Sequence, residues 1–288
     1  MPSLKKIRTR IASVKSTQKI TRAMKLVAAA KLRRAQSNIL NARPYARHLA
    51  GVIADVASRA ETRAHPLLAR RRPRRVGLLV LTSDRGLCGG FNTNISRRTE
   101  RWLKEHEGKF EEVRLFLVGR KGIEYFKRRK YNISREYPGA AGPMCLENAR
   151  AIAHAVVGDY THGRLDAVYV IYNEFKNAVQ QKVVVEPMLP VEPAEAEQTA
   201  SRFDFAYEPD RMRLLDHLLP LYVEVEIYRC LLESLASEFG ARMTAMENAT
   251  NNAEEMIGRL TLEFNRARQA AITKELSEII GGAEALKG

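Results

Sequence analysis

From Met243 towards the C-terminus, apolar and small residues recur at alternating steps of three and four: Met243, Met246, Thr250, Ala253, Ile257, Leu260, Phe264, Ala267 and Ala271. That spacing draws one seam along a helix, and a seam kept over several heptads lets two helices wind together. The stretch from about Leu221 to Ile280 holds no proline. Some 60 helical residues span roughly 90 Å, more than a compact domain needs. A seam needs a partner, and the N-terminus supplies one. Leu4, Ile7, Ile11 and Val14 keep the same rhythm, and after Gln18 and Thr21 the stripe resumes through Met24, Val27 and Leu32. A shift of register is therefore expected near Thr17. If both helices leave one body with the chain termini at the far end, they run antiparallel, and the longer C-terminal helix overhangs by ~20 Å.

Between the two helices the pattern changes. Thr62 to Arg75 reads as an exposed basic linker. Val76 to Thr82 is a buried-type strand, followed by a turn at Ser83 to Asn94 and a helix to about Glu107. Strands at Val113 to Val118, Ala167 to Tyr172 and Gln180 to Met188 alternate with helices at Arg120 to Lys130 and Leu146 to Tyr160. Strands alternating with helices predict an open, mostly parallel sheet. Pro187, Pro190, Pro193 and the Glu/Ala-rich stretch to Thr199 read as an exit linker, and Pro220 is expected to start or kink a helical segment.

Charge divides the chain along the same lines. The formal net charge is +15 over 288 residues, but residues 1–75 carry +18, residues 76–200 carry +2 and residues 201–288 carry −5. The N-terminal helix is thus a cation paired with a mildly anionic partner. Exposed ion pairs between them are worth only ~0–1 kcal/mol each, so most of the excess must face another acidic surface. Thirteen cations precede the first acid, Asp55. The counterpart is either nucleic acid or an acidic protein collar. Against nucleic acid, the first 44 residues contain no aromatic for base stacking and no reading motif.

Candidate chemistry is sparse. The turn Ser83-Asp84-Arg85-Gly86-Leu87-Cys88-Gly89-Gly90-Phe91-Asn92 is glycine-rich and opens a helix, where phosphate could be cradled. It lacks both GxGxxG spacing and a Gly-Lys-Ser/Thr ending, so a tight strand-to-helix connection with structural polar groups is the better reading. Cys88, Cys145 and Cys230 are far apart with no metal-ligand spacing, which suits a reducing compartment. No His/Asp set accompanies Cys88, and the histidines show no i, i+4 pairing. Apolar runs are strand-sized rather than membrane-spanning. The acid-free N-terminus has transit-peptide composition, but the seam already begins at Leu4.

The segments Ile11 to Ala29, Ala241 to Asn252 and Asn265 to Leu276 closely resemble the N- and C-terminal signatures of the gamma subunit of F-type ATP synthase, and the Ser83 to Asn92 turn resembles its central one. The resemblance runs end to end and in order. It implies a noncatalytic central-stalk rotor without a cofactor, set in a collar of alternating alpha and beta subunits. Its inserted domain would lie against epsilon and the membrane c ring, so that proton flow drives rotation and beta sites change state. Carried over by position, it implies beta-subunit contacts at Met24, Lys25, Arg242, Arg268, Gln269, Thr273 and Glu275, and c-ring or epsilon contacts at Tyr207 and Glu208. The end of the last helix, Ile279 to Leu286, would lie in an apolar bearing. The chain lacks the regulatory cysteine insertion of chloroplast members, and a bacterial origin at the cytoplasmic face of the plasma membrane is expected.

The expected architecture is α/β: a long antiparallel coiled coil of N-terminal (1–60) and C-terminal (210–286) helices, with an inserted Rossmann-like α/β domain (76–190). The expected seam contacts on the C-terminal helix are Met243, Met246, Ile257, Leu260 and Phe264.

Overall fold

The computed structural model describes residues 4–57, 65–139, 145–177, 180–192 and 211–285. The elements run α1 (Leu4–Ala57), β1 (Arg75–Leu81), α2 (Phe91–Glu105), β2 (Glu112–Val118), α3 (Arg120–Arg128), β3 (Ile133–Tyr137), α4 (Cys145–Thr161), β4 (Ala167–Phe175), β5 (Gln181–Leu189) and α5 (Arg211–Ala285). They form two compact units. One holds residues 1–27 and 243–288, the other residues 28–242, so both long helices contribute to each.

The first unit is a pair of antiparallel helices. Thr21 Oγ1 meets Thr250 Oγ1 at 2.8 Å, and one turn further along α1, Lys25 Nζ meets Glu247 Oε1 at 2.6 Å, so one helix climbs as the other descends. Ile7 shares the lining of a groove with Ala267 and Ala270, in keeping with the same register. On α5, Met246, Ala253 and Leu260 are buried, while Met243, Thr250, Ile257, Phe264, Ala267 and Ala271 are half-buried. On the α1 arm of this unit the low-exposure positions are Leu4, Ile7, Ile11, Val14, Gln18, Thr21, Met24 and Lys25. The expected register shift near Thr17 does not occur. The seam passes straight through Gln18 and Thr21, and Val27, expected on the stripe, is 55% exposed. The Thr21 hydroxyl is tolerated at a seam position because Thr250 meets it across the pair. Each hydroxyl also lies within reach of a carbonyl of its own helix, Gln18 O and Met246 O, so one of the two donates across the pair while the other accepts there and donates to its own helix.

The second unit is built on a five-stranded sheet in the order β3-β2-β1-β4-β5. β1 lies parallel to both β2 and β4, β2 parallel to β3, and β5 antiparallel to β4 at the edge. The central strand is buried on both faces, as a parallel sheet covered on both sides requires. Val76, Leu78 and Val80 pack with Ile95 and Trp102 of α2 and Phe126 of α3. On the opposite face, Val170 shares a pocket with Tyr222, Val223 and Cys230 of α5, and Arg229 donates to the Tyr172 hydroxyl at 3.1 Å. Leu215, Leu219, Val223, Ile227 and Leu231 are all buried at i, i+4 spacing. That continuous apolar row carries α5 through Pro220, so the proline does not start a new segment there.

Three further differences have plain causes. β3, with the sequence ISREY, was not anticipated because it is a short, half-polar edge strand that pairs only with β2. Pro187 lies inside β5 rather than in a linker, and an edge strand tolerates a missing N–H. The basic stretch before β1 is not a free linker. Arg71 donates to Tyr160 O and lies over its ring, Arg74 pairs with Glu111, and Leu67 is buried.

Asp166 fastens the entry to β1. Its Oδ2 accepts the main-chain N–H groups of Arg75 at 2.9 Å and Arg74 at 3.2 Å. Burial works to raise its carboxyl pKa, but these N–H groups and the Arg75 guanidinium outweigh it and hold the group below the ordinary carboxylate value. A depressed folded pKa contributes stability that is present above the unfolded value of ~3.9 and is lost as pH falls through the folded value. We expect Asp166→Asn to lower Tm at neutral pH, with the gap to wild type closing below about pH 4. Thermal melts across pH 2–7 (approximately) check this, and a gap independent of pH contradicts it.

Candidate functional site

Two regions carry the residues that the sequence singles out. The first is the exposed surface of the two-helix unit. Arg8, Arg10, Lys15, Lys19 and Arg22 are exposed along α1. Met24 is half-buried, and Lys25 is held by Glu247, with side chains 35% and 46% exposed. A pair so open to water contributes only ~0–1 kcal/mol, so it orients the ammonium more than it stabilises the helices.

Beyond Ala267, α5 carries Arg268, Gln269, Thr273 and Glu275, all exposed. At 3.6 residues per turn each step rotates by ~100°, so Gln269 and Thr273 fall on the side away from the seam, and Arg268 and Glu275 on its flank. Between these two polar pairs runs an exposed apolar row of Ile272, Leu276 and Ile279, joined by Ile280. Four large apolar side chains left in water on one helical turn after another form a contiguous patch, and such patches mark contact surfaces. Polar groups on both margins would fix a partner's orientation while the apolar row supplies the contact area.

The second region is the turn from Ser83 to Asn92 in the α/β unit. The polar side chains of Ser83, Asp84 and Asn92 are all engaged inside the chain. Asn92 Oδ1 accepts the Ser83 N–H at 2.9 Å, Asn92 Nδ2 donates to Ser83 Oγ at 2.8 Å, and Ser83 Oγ donates to Arg85 O at 2.7 Å. Asp84 Oδ1 accepts the main-chain N–H groups of Arg120 and Gly139, the first residue of α3 and the turn after β3. Thr82 Oγ1 accepts from Gly122 N at 2.9 Å, and a Cβ at Gly119 would lie 2.2 Å from Thr82 O, so glycine is required for this approach. The turn is a tight connection whose donors and acceptors face one another. Cys88 is buried within it, and burial pushes its thiol pKa up, against the opposing hydrogen bond from Ser83. The same cause lifts Cys145 to about 12 and raises Cys230. A thiol held protonated is a poor nucleophile.

Arg242 belongs to this second region. Its Nη1 donates to Glu238 Oε1 at 2.6 Å, and its Nη2 points to the carbonyls of Gly86 and Arg85 at 3.2 and 3.5 Å. The Arg242 and Glu238 side chains are 11% and 10% exposed. Glu238 carried no signal in the sequence beyond its i, i+4 spacing to Arg242. Tyr207 and Glu208 lie outside the described residues.

A sequence model of the family described as ATP synthase matches residues 3–286. The ATP synthase gamma chain of Anaeromyxobacter sp. (strain Fw109-5) is 55% identical, with all of both chains covered. The chain belongs to the ATP synthase gamma chain family. The gamma chain of Pelotomaculum thermopropionicum, again aligned over the whole of both chains, is 50% identical. Among solved structures, the central stalk and c ring of the Tetrahymena thermophila mitochondrial ATP synthase contains a chain 30% identical, at a TM-score of 0.62, covering 80% of this chain and 99% of that one. A chain of the Euglena gracilis mitochondrial ATP synthase assembly of OSCP, F1 and c ring shares the fold at a TM-score of 0.66 and 20% identity, covering 98% of this chain and 94% of that one. The gamma-family segments quoted from the sequence therefore fall on both arms of the two-helix unit and on the Ser83 turn.

The seam sets a test. Leu260 is 7% exposed and Met256, one turn earlier on the same helix, is 44% exposed. Leu260→Ala is expected to cost ~2–3 kcal/mol of helix pairing, and Met256→Ala within ~0.5 kcal/mol of nothing. Hydrogen exchange of the 243–270 amides in the full chain measures both; equal losses would contradict the seam.

Proposed function

We propose that this chain is the central-stalk rotor of an F-type ATP synthase. In this reading it couples proton translocation through a membrane c ring to ATP synthesis or hydrolysis at beta subunits, and carries out no catalysis itself. The observation that carries the reading is membership of the gamma chain family over residues 3–286, together with the 30% identical solved relative that comes from a central stalk and c ring. The physical character of the chain supports it. An asymmetric helix pair presents a cationic face on α1 and an apolar row with polar margins on α5, so a collar of subunits around it meets a different surface at each position. Differential contact with otherwise equivalent sites is what shifts their affinities, and turning the rotor makes the shift sequential.

The partners in this reading are alpha and beta subunits as the collar, with epsilon and the c ring at the α/β unit, one copy of this chain per complex. Beta subunits are met by Met24, Lys25, Arg242, Arg268, Gln269, Thr273 and Glu275, and the base is met by Tyr207 and Glu208. The chain works as a peripheral protein at the cytoplasmic face of a bacterial plasma membrane; among the described residues no helix is long and apolar enough to cross a membrane.

Combining this chain with alpha and beta subunits tests the reading. We expect a complex with one copy of the chain, and Arg268→Ala with Gln269→Ala is expected to weaken its hold by ~2 kcal/mol, about 30-fold in Kd. A chain that does not assemble, yet binds duplex DNA with a steep salt dependence, would overturn the proposal in favour of a nucleic-acid surface.

A further inference from the structure

The geometry points to Glu238 and Arg242 as an internal clamp that fastens the Ser83–Asn92 turn to helix α5, so that force on the α/β unit reaches the helix at this point. The inference rests on the rotor reading above and concerns where, within the rotor, load crosses from sheet to helix.

Arg242 is the last residue of the α/β unit in the chain. An i, i+4 pair on an open helix surface is worth little. This one is almost closed off from water, at 11% and 10% exposure, where removing two charges from solvent costs more than the pair returns unless further hydrogen bonds complete it. The completing bonds leave the helix. One arm of the guanidinium takes the Glu238 carboxylate, and the other reaches the carbonyls of Arg85 and Gly86. Glu238 is thus a positioning residue: it aims the planar fork of Arg242 at main-chain acceptors in the turn.

The turn at the other end of this link is stiff. The Ser83–Asn92 bonds close it, Asp84 ties it to the start of α3 and the turn after β3, and Leu87 is held at a φ of 63° that a leucine rarely adopts. One turn below Arg242 a second tie runs from Ser237 Oγ to the carbonyl of Asn173 on β4, and Lys31 of α1 lies over the Phe239 ring. Burial raises the Glu238 carboxyl pKa, and Arg242 is the group that chiefly opposes it. A clamp of this kind needs the fork itself. Lysine at 242 keeps a charge but cannot hold a carboxylate and two carbonyls in one plane.

The test uses the assembled complex with a bead on the α/β unit, reading the width of its angular fluctuation while the collar is held by nucleotide, and ATP synthesis against a high nucleotide ratio. The double variant E238M/R242M replaces the pair by apolar side chains of similar volume, an exchange that buried ion pairs often tolerate in stability. It is expected to melt near the wild-type temperature, to widen the fluctuation and to lose synthesis under load. Glu238→Gln and Arg242→Lys are expected to widen the fluctuation to a lesser degree. Arg259→Ala, which removes an exposed pair with Glu255 on the same helix, should match wild type. If Arg242 acted only by touching a beta subunit, Glu238→Gln would leave the bead's fluctuation at the wild-type width, and that result overturns the clamp. So does a wild-type width in E238M/R242M, or in Arg242→Lys should the double variant fail to assemble. A wild-type chain that does not rotate at all counts instead against the rotor reading.

Discussion

One seam governs this molecule. An amphipathic helix at the start of the chain can hide its apolar stripe only against a helix more than 200 residues later, as the Thr21–Thr250 contact across 229 positions shows. The residues between these two stretches belong to a second compact unit, which carries the five-stranded sheet. The cost of closing so long a loop grows only slowly with its length. It is offset because the inserted residues build their own core, with Val76, Leu78 and Val80 of the central strand fully buried.

How much of this the sequence carried depends on which force fixes each part. The fold class was readable because the two periodicities, three-and-four on the long helices and continuous apolar runs in β1, β2 and β4, are direct records of burial. Register near Thr17 was not, because whether a polar Gln18 or Thr21 sits in the seam depends on what it meets on the other helix, and the contact with Thr250 is invisible from the N-terminal stretch alone. β3 was missed because an edge strand with the sequence ISREY buries little. Helix α5 outlasts Pro220 because tertiary packing of Leu215, Leu219 and Val223 overrides a local preference.

The candidate site shows the same division. Its long motifs place it among gamma chains at the level of sequence, and the glycine-rich turn could be recognised as a connection because it lacks the features of a nucleotide loop. The arrangement around Arg242 could not be read in advance. Its acceptors are main-chain carbonyls of Arg85 and Gly86, which leave no mark in residue identity. The exposed row of Ile272, Leu276 and Ile279 is ambiguous on paper too, since the same spacing would describe a buried stripe; only its position on α5 beyond Ala267 leaves it open to a partner.

The central claim is mechanical: this chain turns inside a collar and carries the turn to the α/β unit. The most direct measurement fixes the alpha/beta collar to a surface, attaches a bead to the α/β unit and records its angle as ATP is hydrolysed. Stepwise rotation in one direction is the predicted result. A bead that only jitters about one angle while the complex hydrolyses ATP at full rate would contradict the account.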